Sequence, residues 1–127
     1  MNKNNNNNVI DLTYLKQISN GDNNFIKGMV EVYLKETPEA LSNLETHLQN
    51  KDWKKFRAVI HKMKPSFSFF GLKNMYDTVN SMQEYSDKEV HLDLLPEMLA
   101  KVKLVCTKAM EELVALKNVP EIIGSQN

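Results

Sequence analysis

The chain has one cysteine, so no disulfide can form within it, and any fold must rest on packing alone. It has no net charge to spare: 16 Lys and Arg balance 16 Asp and Glu, with a sequence pI near 6.8. Without a basic field, recruitment of nucleic acid by its phosphates is excluded as a general mode of action. No apolar run approaches the length of a membrane span. The N-terminus has no apolar signal core, which points to the cytoplasm. Glycine and proline are scarce, four of each, so the few present mark ends and bends. No stretch alternates with period two, which leaves no candidate strand. Also missing are a glycine-rich phosphate loop, a cysteine cluster, a His-Glu-x-x-His pair and a Glu-x-x-His pair. Nucleotide, zinc and di-iron chemistry therefore have no signature here.

What is present is helical periodicity in a chain of 127 residues, enough for one domain with its own core. Residues 1–8 form an asparagine-rich leader with nothing to bury, expected to be disordered. Val9 to Ile18 reads as a short helix covering one end of a bundle and closed by Asn20-Gly21. Asp22 caps the next segment, with apolar positions at Ile26, Val30, Tyr33, Thr37, Ala40, Leu44 and Leu48. Pro38 either splits this segment, with Thr37 as N-cap, or sits in one long bent helix. A further segment carries Leu72, Met75, Tyr76, Val79 and Met82, ends near Ser86, and leads into a charged loop at residues 87–89. The last helix repeats Leu95, Leu99, Val102, Cys106, Ala109, Leu113 and Leu116, with Pro96 in its first turn. Cys106 lies in that register and reads as a buried, inert thiol. Residues 118–127 read as a flexible tail, and the initial Met and ragged ends favour a free-standing protein over a fragment of a hybrid kinase. The expectation is an all-α domain over residues 9–117, an antiparallel up-and-down four-helix bundle with a short extra N-terminal helix.

The most informative stretch is WKKFRAVIHKMKPSFSFFGL, residues 53–72. Trp53, Phe56, Ile60, Met63, Phe67 and Phe70 step by three and four, the buried stripe of a bundle helix. Lys54, Arg57, His61, Lys64 and Ser68 run beside it, which turns His61 about 130° from the stripe and toward water. Pro65 falls where its N–H would have bonded the His61 carbonyl, at a cost of about 3 kcal/mol inside a helix. The stripe nevertheless continues through Phe67 and Phe70, which favours one kinked helix closed by Gly71 over a break near Lys64.

His61, Met63, Lys64, the compact residue at Pro65 and Gly71 resemble the pattern of the histidine-containing phosphotransfer (HPt) domain. That pattern is His-x-(aliphatic)-Lys-Gly with a further Gly ten residues after the His. Pro65 departs from it, standing where the family usually has Gly. The resemblance spans roughly residues 10–117 and favours a single helix through Pro38.

It implies that His61 accepts a phosphoryl group from the aspartyl phosphate of a response-regulator receiver domain and returns it to another, with Lys64 touching the phosphate. Receiver domains are the implied partners, that of a hybrid histidine kinase among the candidates. The receiver supplies the magnesium, this chain binds no cofactor, and it works as a carrier without a kinase domain. From helix spacing, Arg57 adds electrostatic support and Ser68 is a hydrogen-bond donor or a plain solvated serine. Phe69 either forms an apolar docking contact beside His61, with Ala58 and Pro65 leaving room for a partner, or is turned inward by the proline. A monomer is expected, with no contact to nucleic acid or membrane. The competing reading, from another class, is a helical adaptor that binds a signalling partner without being phosphorylated, and such an adaptor has no need of His61 with Lys64.

Overall fold

The computed structural model describes residues 8–117, and every regular element among them is helical. The order is α1 (Thr13–Ser19), α2 (Asn23–Gln49), α3 (Trp53–Phe69), α4 (Tyr76–Lys88) and α5 (Leu95–Lys117). Single 3-10 turns at Lys73–Met75 and Leu92–Leu94 lead into α4 and α5. The expected tail at 118–127 and all but the last residue of the expected leader lie outside the described residues.

Local chemistry sets the boundaries. Asp22 accepts the N–H groups of Asn24 and Phe25, and Asp52 accepts that of Lys55, so both long helices begin on carboxylate caps. The end of α3 is a Schellman motif: Leu72 N–H donates to the Phe67 carbonyl at 2.8 Å and Gly71 N–H to that of Ser68 at 3.2 Å. Gly71 takes the left-handed conformation that this motif requires, with φ of 68°. Both interior prolines are absorbed. Pro65 lies within α3, as its continuous apolar stripe favours, and Pro38 lies within the single helix α2, which decides against a split at Thr37.

Four of these helices enclose one core. α3 packs on α4 and α2, and α5 closes the ring against α2 and α4. Phe56, Ile60, Phe67 and Phe70 from α3 meet Ile26, Val30 and Leu44 from α2, Val79 and Met82 from α4, and all six register positions of α5 through Leu113. Burying a side chain of this size contributes about 1.5–3 kcal/mol, so the stripes dominate the stability. Thr37 is buried mid-helix rather than acting as a cap, and Leu41 takes the core position expected of Ala40, which is only half-buried. The helix widens its buried face there by one residue, as a 3.6-residue period does over 27 residues. Trp53 and Met63 lie at the stripe's margin, half-buried.

The N-terminal helix starts at Thr13 rather than Val9, because the backbone before it is held by other partners. Val9 N–H reaches both oxygens of the Glu112 carboxylate at 2.9 and 3.1 Å, and Ile10 N–H reaches one at 3.1 Å. Asp11 N–H donates to the Phe70 carbonyl at 2.9 Å. This strap ties α5 to the end of α3 across one end of the bundle. The fourth helix also differs from expectation. It runs on to Lys88, taking in Asp87 of the expected loop, and Tyr76 at its start is exposed rather than buried.

Candidate functional site

His61 is exposed on the outer face of α3, where the stripe spacing puts it. Its ring does not stand free, for Nδ1 lies 3.3 Å from Nε2 of Gln83 on α4. One turn back along α3, Arg57 Nε lies 3.1 Å from Asp87 Oδ1, one turn forward along α4, close enough for an ion pair though not aligned as a hydrogen bond. These two contacts bridge α3 and α4, and that of Gln83 meets the imidazole on one side only.

Gln83 has a second property of consequence. Its Oε1 is buried and has no hydrogen-bond partner. A carboxamide presents an acceptor on one side and donors on the other, and a half-turn exchanges them. In the turned orientation Oε1 accepts from Nδ1–H of a neutral imidazole, which leaves the lone pair on Nε2. The turn gives the carbonyl oxygen a partner and places the amide N–H groups where Oε1 now stands. The ring nitrogen remote from Gln83 is then the nucleophilic one.

Lys64 is half-buried on the same face as His61, and no acidic side chain among the described residues forms an ion pair with it. Its charge is therefore available to an anion at His61, whereas that of Arg57 is shared with Asp87. Pro65 is exposed, and the ladder beside it is supplemented by Ser66 Oγ donating to the Met63 carbonyl at 2.7 Å. Ser68 is exposed two turns beyond His61, where it borders a shallow pocket with Asp11, Tyr14, Gly71 and Tyr76. Ala58 is exposed as well. Phe69 meets neither expectation fully: it is half-buried, stacked against Tyr14 of α1 with ring centroids 6.2 Å apart.

The other histidines stand elsewhere. His47 lies in the last turn of α2, where its carbonyl accepts from Asp52 N–H at 2.9 Å. His91 packs its ring 4.9 Å from that of Tyr85. Cys106 is buried as expected, and burial pushes its thiol up to about 11. Tyr33 beside it is shifted upward too, chiefly by burial and then by the thiol. Two residues of the site escaped sequence reading. Gln83 follows the buried Met82 by one position, and that polar residue beside the stripe was its only signal. Asp87 was hidden by its place in an expected loop.

A family model, the Hpt domain, matches residues 28–116, and the chain belongs to that family. Hpt domains carry out histidine-containing phosphotransfer in two-component signalling, as carriers rather than kinases, and interact with response-regulator receiver domains. No curated protein and no solved structure matches the chain. The match begins within α2, so α1 and the strap lie outside it. No helix among the described residues is long and apolar enough to cross a membrane.

Proposed function

We propose that this chain is a phosphorelay carrier in which His61 accepts a phosphoryl group from a receiver aspartate and passes it to a second receiver. Nε2 of the neutral ring attacks phosphorus, the N–P bond forms, and the P–O bond to the aspartate breaks with the carboxylate leaving. The ring gains positive charge, held at Nδ1–H by the Gln83 oxygen, and Lys64 offsets charge on the phosphoryl oxygens. Return of the group reverses each step. Magnesium belongs to the receiver, which supplies most of the catalytic apparatus, so no cofactor site is assigned to this chain. The observation that carries this reading is the exposed His61 whose inner nitrogen faces Gln83 while an uncommitted Lys64 shares its face.

The same reading takes the domain as residues 9–117, an antiparallel up-and-down four-helix bundle capped by α1, working as a cytoplasmic monomer. Ala58, Pro65 and Phe69 border His61 as its docking side, and Ser68 is a peripheral hydrogen-bond donor. A helical adaptor that is never phosphorylated is the alternative, and it leaves the His61–Gln83 contact without a purpose. The test is incubation with a receiver phosphorylated on aspartate, in magnesium, followed by assay for acid-labile, base-stable phosphate on this chain. Label is expected on the native chain and none on His61→Gln, with helicity unchanged because an exposed position carries little packing energy. Retained label in that variant moves the acceptor elsewhere, and an unlabelled native chain leaves the adaptor.

A further inference from the structure

Arg57 is the one arginine of the chain, all the others among its 16 basic residues being lysines. It stands one turn before His61 on α3. A side chain on a helix leans back over the turn before it, and Cβ atoms four residues apart are about 5–6 Å from one another. A phosphoryl group on the His61 ring is therefore carried toward Arg57. In the free chain the guanidinium reaches across to α4, with Nε 3.1 Å from Asp87 Oδ1. The pair is a loose one. Nε is buried yet has no aligned acceptor, and the Asp87 side chain is 59% exposed, so water solvates it readily once Arg57 turns away. Neither residue forms another ion pair among the described residues, and the neighbouring charges of α4, Glu84 and Lys88, are paired with each other.

We propose that Arg57 changes partner with the state of His61, pairing with Asp87 in the free carrier and with the phosphoryl oxygens in the phosphorylated one. The proposal rests on the carrier reading and adds to it a positioning residue, Asp87, which acts through Arg57. A phosphoryl group bears more negative charge than a carboxylate and has three acceptor oxygens. A guanidinium meets two of them with parallel N–H groups, a geometry that a lysine ammonium lacks. The exchange therefore favours phosphate over the unaligned carboxylate, and it leaves Asp87 in water. Its consequence is reversibility. A cation wholly free beside His61 would stabilise the phosphorylated state and retain the group. By competing for Arg57, Asp87 removes part of that stabilisation, so the group is accepted and still handed on. Lys64, which forms no ion pair among the described residues, offers its charge in both states. The charge of Arg57 is released only to the phosphoryl group.

Because the chain has a single arginine, a nitrogen–proton correlation spectrum holds one Nε–Hε peak, and it belongs to Arg57. Phosphoramidate labels His61 with no receiver present: the N–P bond forms, ammonia leaves, and loss of the label in His61→Gln places it. In the unlabelled chain Asp87→Asn should move the Arg57 peak. Labelling should move the native peak as well, and the native and Asp87→Asn peaks should then coincide. A second measurement takes the equilibrium constant for phosphoryl transfer from a receiver to this chain. Asp87→Asn should raise it about two- to fivefold, and Arg57→Gln should lower it about five- to tenfold. In the Arg57→Gln background Asp87→Asn should have no further effect. An Arg57 peak indifferent to Asp87→Asn in the unlabelled chain would overturn the proposal, as would native and variant peaks that stay as far apart after labelling as before. So would an equal rise in the Arg57→Gln background, because Asp87 would then repel the phosphoryl group directly. A native chain that takes no label at His61 would end the carrier reading, and label at His61 beside an unmoved Arg57 peak would end the exchange alone.

Discussion

Replacing Gly71 by alanine tests whether the strap at residues 9–12 is a structural part of the His61 helix. The residue has φ of 68°, and forcing an L side chain into that left-handed region costs about 1–2 kcal/mol. The second contribution is steric. A Cβ at Gly71 would stand 2.5 Å from the Asp11 carbonyl oxygen and 2.6 Å from the Asp11 Cβ. The strap must move, and with it goes the Asp11–Phe70 backbone hydrogen bond, which is worth about 0.5–1.5 kcal/mol. The sum is roughly 1.5–3.5 kcal/mol, a large part of the total for a domain this size. Gly21 supplies the comparison within the same molecule. Its φ is 80°, but a Cβ there meets nothing within 4 Å, so Gly21→Ala bears the conformational cost alone. Urea unfolding of both variants at equal m-value should place Gly71→Ala about 0.5–1.5 kcal/mol below Gly21→Ala. Equal midpoints would show that the strap gives way freely and that Gly71 serves only the helix end.

Gln83→Ala removes the group facing His61 Nδ1 and should slow phosphotransfer about tenfold, equivalent to roughly 1.4 kcal/mol in the barrier, with stability little changed. Single-turnover transfer in both directions checks it, and unaltered rates would leave Gln83 without a role in the chemistry. Phe69→Ala should weaken receiver binding by about 1–3 kcal/mol, whereas Phe67→Ala, on the buried stripe, should cost about 3–5 kcal/mol of stability. Calorimetric titration and denaturation of the two variants separate docking from packing. Cys106 keeps its proton in the folded state up to about pH 11, against 9 for the free thiol, so the unfolded state alone loses a proton between those values. Its contribution is intact below pH 9 and stability then falls by at most about 1.4 kcal/mol per pH unit. Cys106→Ala should flatten that decline between pH 9 and 10, before tyrosine dominates, in denaturant midpoints taken across the range.

Periodicity and capping chemistry are local, and they were enough to place the helices in order and to set the phase of α3. The steps of three and four from Phe56 to Phe70 put His61 on the water side, and Asp22, Asp52 and Gly71 marked helix ends without reference to any neighbour. They also carried the stripe through Pro65, since burying a continuous apolar face outweighs one lost backbone hydrogen bond, whereas at Pro38 periodicity fitted a split as well as a bend and the structure decided for one helix. What periodicity cannot encode is which side chain of one helix meets which of another. The contact of Gln83 with His61 and that of Asp87 with Arg57 depend on how far α4 slides along α3. Core packing sets that distance, and no pattern within either helix records it. The same holds for the strap. Val9 and Ile10 have the composition of a helix start, but their N–H groups find a carboxylate more than a hundred residues away, and only the folded chain brings Glu112 there. A single sequence therefore told which residue faces the solvent, while the tertiary structure decided which nitrogen of that residue lies against a neighbouring helix.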